Sequence, residues 1–360
     1  MPVIYTYQSS EVVNRIAPDL IQTTALQDPI FEKFPIRELN AAKLRWTIKD
    51  NYRGLMNLRG YDGAPTRVLR PGENLYEELP GVYGEYGLLE EQELTERAKG
   101  FPADLTVPID VSDLVREWQT VLTTRQVQRM KQAAWTLATT HNLTLYLPNG
   151  GVGQQVSYPG QTLTVSTLWS NLSAATPLHD LRQLQFIYGR GTSNSFMAGA
   201  EAWMNAKTAQ YILDNRNSAD VGGIRAEYGQ TVFNSITKFN EILMSQGAPI
   251  IKIYEESYQL ELGASGGIAG NYPGNYFQMY LPDGVVWVCA KRPGNELPGA
   301  FMWTRHLVNG GGMKPYAFIN DFTKDTGGIA HVPPKIEVHQ GFNGGPVQER
   351  PSQTVTMIVA

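Results

Sequence analysis

Apolar positions recur most regularly between Ile109 and Thr140, in the stretch IDVSDLVREWQTVLTTRQVQRMKQAAWTLATT. Val111, Leu114, Val115, Trp118, Val121 and Leu122 follow at steps of three and four. Val127, Met130, Ala133, Ala134, Leu137 and Ala138 continue the series, as an amphipathic helix requires. Asp110 stands where it can cap the first turn, with Asp113 three residues later in capping-box position. Asn142 and the β-branched run after it end the helix. Unbroken, the rod is roughly 45 Å long at about 1.5 Å per residue, well above the usual helix of about 11–12 residues. The apolar stripe lapses at Thr123-Thr124-Arg125-Gln126, and a kink or short break is predicted there. On pattern alone this is the long core helix of an α+β domain, with Trp118 and Trp135 facing inward.

The chain before this helix is less regular. In residues 1–45, VIYTY reads as a short strand. Ser9 or Ser10 caps a short helix through Val12, Val13 and Ile16, which Pro18 ends. Pro29 and Pro35 interrupt the stretch around FEKFPIREL, so its apolar residues must bury against another part of the chain or another copy. Trp46, Ile48 and Tyr52 alternate, and a glycine-punctuated segment follows. In it Arg67–Arg70 and the region of Leu75, Tyr83, Tyr86, Leu88 and Leu89 read as short strands or extended chain. A connection this long with little regular structure is uncommon in a compact domain and is functional or held by a partner. Its first limb is basic, with Arg59, Arg67 and Arg70; its second is acidic, with Glu73, Glu77, Glu78, Glu85, Glu90, Glu91, Glu93 and Glu96. These limbs pair with each other, pair with a neighbour, or remain two solvated faces.

After the long helix, LTLYL and VSYPGQTLTV flank the glycine-rich turn NGGVGQQ and read as a hairpin or ribbon. Residues 166–262 read as α/β. A short helix opens at Ser166 or Thr167 and carries Leu168, Trp169 and Leu172. Another starts at Thr176-Pro177 and runs to Ile187. EAWMNAKTAQYILDN and VFNSITKFNEILMSQG are two more helices, the second with Gly247 as its C-cap. Ile250–Tyr254 is a strand. Tyr276–Leu281 and Val285–Ala290 around Asp283-Gly284 carry a hairpin signature. FMWTRHLV, YAFINDF and KIEVHQGF are further strands, a Gly-Gly-Pro turn follows, and the uncharged ending TVTMIVA belongs in a sheet.

At 360 residues the chain can bury a large core and form two or more domains. Charged residues are 18%, below the usual quarter. With 18 Tyr and 7 Trp, this suits a molecule largely covered by neighbours, because aromatics are enriched in interface cores. The net charge of -4 gives no whole-chain signal for nucleic acid. The single Cys289 excludes an intrachain disulfide and suits reducing cytosol. No apolar run reaches the roughly 18–20 residues of a membrane span, and MPVIYTYQSS does not read as a signal peptide.

Candidate chemistry is sparse. His141, His179, His306, His331 and His339 share no metal-ligand spacing, although Glu337 lies between the last two. No GxSxG elbow, phosphate loop, or nucleophile–base pair stands out, and Gly189-Arg190-Gly191-Thr192 is too short to define an anion site. The reading is no catalytic residue, no metal and no cofactor.

The order of elements, together with RGYDGAPTRVLRPGE near residue 60, PIDVSDLVREW at 108–118, RQVQRMKQAAWTLATTHN at 125–142, SNLSAATPLHDLRQLQFIYGR at 170–190 and the following AEAWMNAKTAQYILDN, resembles the major capsid proteins of tailed bacteriophages, of HK97-like fold, and within them the lambda-type family. The resemblance is diffuse and spans nearly the whole chain. It implies an α+β HK97-like capsid fold with an N-terminal arm at 1–45 and an extended loop at 46–105 lying over the adjacent subunit. A peripheral domain with the spine helix at 106–165, a mostly axial domain at 166–320 and returning C-terminal strands at 321–360 complete it. The implied work is self-assembly as hexamers and pentamers into an icosahedral shell around double-stranded DNA held non-specifically. The implied partners are a separate scaffolding protein, a portal protein and a decoration or cement protein, with assembly in host cytoplasm and no membrane. Arg59, Arg67, Arg70, Glu77, Glu78 and Glu85 are the expected intersubunit pairing residues, and 1–45 with 56–98 are expected to be mobile before assembly. Covalent crosslinking through a loop lysine is not expected, since only Lys49 and Lys99 flank the loop. An encapsulin-like cargo shell, a soluble α+β enzyme with a long lid loop, and a tail or baseplate protein are the rival readings.

Overall fold

The computed structural model describes residues 5–49, 73–98, 109–146, 152–190, 192–215, 236–259, 277–292, 294, 296–308, 311–322 and 335–360. Two compact units emerge: Met1–Arg45, Glu77–Lys131 and Phe301–Gly345 in the first, and Trp46–Tyr76, Gln132–Ala300 and Pro346–Ala360 in the second. The chain starts with β1 (Tyr5–Thr6), α1 (Ser10–Ala25), α2 (Ile30–Lys33), β2 (Ile36–Leu39), β3 (Leu44–Lys49), β4 (Glu73–Glu78), β5 (Gly81–Leu89) and α3 (Glu91–Ala98). Next come β6 (Ile109–Asp110), α4 (Ser112–Thr140), β7 (Asn142–Tyr146), β8 (Val152–Ser157), β9 (Gln161–Thr164) and α5 (Pro177–Leu184), which continues into a π-helical turn, Gln185–Gly189. β10 (Glu201–Met204), α6 (Ala206–Asp214), α7 (Ile236–Ser245), β11 (Ile250–Ile253), β12 (Ser257–Gln259) and β13 (Phe277–Met279) follow. β14 (Val285–Cys289), β15 (Gly299–Thr304), β16 (Tyr316–Asp321), β17 (Ile336–Gln348) and β18 (Thr354–Ile358) complete the chain.

The first unit is built on a five-stranded sheet ordered β16-β17-β15-β2, with β5 also on β17. β16 and β5 both pair antiparallel with Ile336–Gly341, so they occupy opposite edges of β17. The Gly-Gly-Pro sequence expected to turn lies inside β17 instead. A Cβ at Gly344 would sit 2.4 Å from the Met302 carbonyl oxygen, so the close approach of β15 is what requires glycine there. α4 covers the sheet. Val115 and Leu122 join Leu89, Ala317, Ile319, Ile336 and Val338 in one core. Half-buried Trp118 lies over Gly87, where a Cβ would come within 2.3 Å of the indole.

α4 runs through Thr123-Thr124-Arg125-Gln126 without a break. The apolar stripe lapses because the sheet presents a polar group at that point. Buried Gln340 donates through Nε2 to Thr123 Oγ1 at 3.1 Å and to Gln126 Oε1 at 3.0 Å. Asp110 assists the helix start, its Oδ1 accepting from the Ser112 N–H at 3.0 Å.

α1 departs from its prediction in a similar way. Ser9 caps it, accepting from the Val12 N–H, but Pro18 lies inside the helix and does not end it. An interior proline costs roughly 3 kcal/mol. Burial of Val13, Ala17, Ile21 and Ala25 offsets that cost. The helix is also tied to the edge of β16. Ser10 Oγ bonds both the N–H and the carbonyl of Ile319, and Asn14 Oδ1 accepts from the Ala317 N–H. Ile30, Phe31 and Phe34 of the arm therefore bury against their own chain, whereas Ile16, Leu20 and Leu26 are exposed. The stretch after residue 72 is also more regular than predicted, since β4, β5 and α3 account for most of 73–98.

The second unit is layered. Its sheet runs β11-β10-β14-β18-β9. On one face Ala202, Met204, Val286, Val288, Val355 and Met357 share a core with residues of α5, α6 and α7. On the other, Trp203 and Trp287 are directly paired across β10 and β14, and Trp135 of α4 packs edge-on to both. Burial on both faces explains the unbroken apolar run VVWVC in β14. The uncharged ending lies between β14 and β9, inside the sheet and not on its edge.

Three predictions fail here for a common reason. EAWM is β10 and not the start of a helix, because Asn205 caps α6 behind it by accepting from the Thr208 N–H at 2.8 Å. Leu168–Leu172 is a turn region that seats Trp169, whose Nε1 donates to Asp180 Oδ2 at 2.9 Å. Asp283-Gly284 does turn, with Gly284 at φ 72°, but β13 pairs with β12 while β14 pairs with β10 and β18. Distant partners displace each local pairing or helix. β7 pairs with β8, which takes up VGQQ from the predicted turn, and Gln161–Thr164 of the predicted second strand pairs with β18 instead. Met244, near the end of α7, is exposed.

Two consequences can be measured. Asp28, fully buried, accepts from the Ile30 N–H and pairs with Lys131 Nζ at 3.0 Å. Lys131→Met strands that carboxylate, and a loss of about 3–5 kcal/mol in denaturant unfolding is expected; an unchanged midpoint contradicts the pairing. His141 ends α4 in the left-handed region at φ 56°. Its Nε2 lies 3.2 Å from both the Gln161 carbonyl oxygen and Thr356 Oγ1. Burial holds its pKa below the ordinary value. The unfolded chain binds the proton more readily, so stability is full above about pH 6.5 and declines as the pH falls toward the lowered folded value. His141→Asn, which tolerates positive φ, is expected to flatten this part of the stability–pH curve. An identical slope in both proteins refutes the assignment.

Candidate assembly surface

β3 and β4 form a two-stranded ribbon. Trp46 of this ribbon stacks on Tyr76 at 5.4 Å and on Tyr158 at 5.2 Å. Along the following chain Leu75 is 70% exposed and Val82 73%, with Leu79 and Tyr86 also exposed. β5 alternates: its odd positions face α4, and Val82, Gly84 and Tyr86 face away. Large apolar side chains exposed in succession are uncommon on a solitary protein and often belong to interaction surfaces.

The acidic residues singled out in the sequence are each placed. Glu77 pairs with Arg45 at 3.0 Å and Lys43 at 3.5 Å, and the Arg45 hydrogen bond lowers its pKa. Glu85 reaches Arg125, with Nη2 donating to Oε1 at 2.8 Å. That hydrogen bond lowers its pKa against the opposing effect of burial. Arg129, one turn along α4, lies 5.7 Å over the Tyr83 ring. Glu78 is half-buried at the end of β4. Arg59, Arg67 and Arg70 lie outside the described residues. Sequence reasoning missed Lys43, Arg45, Arg125 and Arg129. The signal for the last two was their spacing of four, which puts both on one helix face. A hollow of about 320 Å³ at the end of β5 is lined by Leu88, Glu90, Gln92, Glu93 and Glu96.

In the second unit a separate apolar group is exposed. Phe186 and Ile187 sit on the π-helical turn, with Arg190 4.9 Å over the Phe186 ring. Gln185 Oε1 accepts from the Phe196 N–H, beside exposed Met197. Met197 is itself a neighbour of Gly247, which follows exposed Met244.

The histidines show structural contacts. His306 Nε2 lies 2.7 Å from the Lys314 carbonyl oxygen, and His179 lies beside Gln183. His339 is stacked between Phe318 and Tyr86 with Glu337 at 3.0 Å, and His331 lies outside the described residues. Among the described residues no group of three or more His, Cys, Asp or Glu side chains is placed to hold a metal ion. No helix among them is long and apolar enough to cross a membrane.

No protein-family model matches the chain, and no curated protein matches it. Solved structures do. A prophage protein of E. coli CFT073 described as a capsid protein aligns over 99% of this chain and 100% of its own, at 12% identity and a TM-score of 0.56. A phage-related protein from Bordetella bronchiseptica RB50 aligns over 94% and 95%, at 9% identity and a TM-score of 0.48. An encapsulin from Synechococcus elongatus PCC 7942 aligns over 92% and 88%, at 10% identity and a TM-score of 0.39. The fold is thus α+β, and it is the fold of the first of these structures.

Glu85 and Arg125 are both partly solvated, so their pair contributes little to the isolated chain. Arg125→Met is expected to cost less than about 1 kcal/mol in unfolding free energy; a loss of 3 kcal/mol would show that the pair holds the fold together.

Proposed function

We propose that this chain is a shell-forming protein, and in particular the major capsid protein of a tailed bacteriophage, with no catalytic step of its own. The end-to-end likeness to the prophage capsid protein of E. coli CFT073 carries the reading. The exposed apolar positions on both units support it, since a chain that works alone seldom leaves Val82, Leu75 and Phe186 in water together.

In this reading residues 1–45 are the N-terminal arm and 46–105 the extended loop lying on an adjacent subunit. Residues 106–165 and 321–360 form the peripheral domain around the spine helix, and 166–320 most of the axial domain. The exposed group on the π-helical turn meets its copies around the five-fold and six-fold positions. Glu77, Glu78 and Glu85, with Arg59, Arg67 and Arg70, set register between copies, since arrays of weak ion pairs fix orientation more than affinity. Closed shells arise from repeated heterologous contacts whose rotation closes. A separate scaffolding protein, a portal protein and a decoration or cement protein complete the particle, which encloses double-stranded DNA without reading its sequence. Assembly takes place in host cytoplasm.

The test is to express the chain with and without a scaffolding partner and to image the products by negative stain. Large hollow shells are expected. Small discrete oligomers support the enzyme reading, tubes support a tail protein, and shells filled with one co-purifying enzyme support an encapsulin-like container.

A further inference from the structure

In the second unit, β11 and β9 are the outer strands of the five-stranded sheet. The Ile250 N–H donates to the Ala200 carbonyl oxygen and the Tyr254 N–H to that of Met204, each at 3.0 Å. Successive residues of a strand turn their main-chain groups to opposite sides. Ile251 and Ile253 therefore turn theirs away from β10, where no strand pairs with β11 among the described residues. Both groups of Ile251 are taken there by one side chain. Asn240 of α7 donates through Nδ2 to the Ile251 carbonyl oxygen at 2.8 Å and accepts at Oδ1 from the Ile251 N–H at 2.7 Å. A carboxamide carries a donor and an acceptor side by side, which is what an added strand would present to the same residue. Pro249, just before β11, has no N–H to offer.

The other edge is treated in a related way. The Val165 N–H bonds to the Ile358 carbonyl oxygen at 3.2 Å, so by the same alternation Gln161 and Leu163 face β18 and Thr162 faces out. Tyr188, on the π-helical turn, donates its hydroxyl to the Thr162 carbonyl oxygen at 3.1 Å. Of the two edges, β11 is the stronger template for another chain. Its sequence IIKI is β-branched and apolar apart from Lys252, and Ile253 is exposed. A strand of that kind with free main-chain groups invites pairing with a further strand.

We propose that Asn240 is a gatekeeper: by filling the main-chain site at Ile251 it keeps a second copy of this chain from pairing with the β11 edge. The proposal does not depend on the shell reading. It assigns to one side chain the choice between a unit that stays separate at this edge and one that grows by strand addition.

The experiment compares the full-length wild type with its Asn240→Ala and Asn240→Asp variants, by hydrogen exchange and by sedimentation velocity over a range of concentrations. In the wild type the Ile251 amide, although it faces away from β10, is expected to exchange as slowly as the Lys252 amide, which faces β10. A fast Ile251 amide in the wild type overturns the proposal without any variant. Asn240→Ala frees both main-chain groups. In dilute solution its Ile251 amide is expected to exchange roughly tenfold faster than in the wild type. On concentration this variant is expected to associate beyond whatever the wild type forms, with that amide slow again. Asn240→Asp keeps an acceptor for the N–H, loses the donor and places a charge at the edge. It is expected to melt below the wild type, as the alanine variant does, yet to associate no more than the wild type. An alanine variant that associates no further than the wild type, or associates with its Ile251 amide still fast, overturns the proposal. An aspartate variant that associates as the alanine variant does also overturns it, because lost stability would then be the cause. Asn240→Ser, too short to bond both groups of Ile251, repeats the comparison if the alanine variant does not fold.

Discussion

A buried carboxamide holds the first unit in register. Gln340, at the middle of β17, presents its Nε2 to Thr123 and Gln126 of α4. Around it the contact is apolar, from Val115 and Leu122 to Val338 and Ile336. A satisfied hydrogen bond between neutral groups contributes only about 0.5–1.5 kcal/mol, but a buried polar group left without a partner costs about 1–3 kcal/mol. The pair of bonds therefore acts mainly by penalty. Sliding α4 by one turn along the sheet would leave three buried polar side chains facing hydrocarbon. The same constraint aligns Trp118 with Gly87 and Arg125 with Glu85, since both pairs lie on the same helix and the same sheet.

Much of this was legible in the sequence, because periodicity reports burial directly. The long helix, the Asp110 cap, the capping role of Ser9, the start of α5 at Thr176-Pro177 and the burial of the uncharged ending all followed from spacing and residue type. The failures share a cause. Pro18 sits inside a helix because a sheet edge 300 residues away in sequence needs Ser10 and Asn14 as hydrogen-bonding partners. That long-range edge is invisible to a local rule. EAWM has helical spacing but joins a sheet whose other strands come from residues 250–253 and 285–289. The lapse in α4 looked like a break because its partner, Gln340, is more than 200 positions away. Of the surface residues, the glutamates could be singled out by their density, while the arginines that meet them within the chain were dispersed in α4 and β3.

The fold links to function through what it leaves unfinished. The β16 edge is sealed by the chain's own arm, whereas β5 pairs only with β17 among the described residues. A two-stranded ribbon carries exposed leucine and an excess of carboxylates. On the shell reading proposed above, the exposed Leu75, Val82 and Phe186 lose their contact with water when copies meet. The Glu85–Arg125 pair, made within the chain and partly solvated, contributes little to stability.

All of this depends on α4 being one continuous rod seated on Gln340. Native-state hydrogen exchange of the amides from Thr123 to Arg129 measures that directly. The account requires these amides to exchange as slowly as those of Val115 to Leu122, and the Gln340→Ala variant to accelerate them selectively. Fast exchange at Thr123–Gln126 in the unaltered protein, with slow exchange on either side, would mean the helix is broken there and would contradict the account.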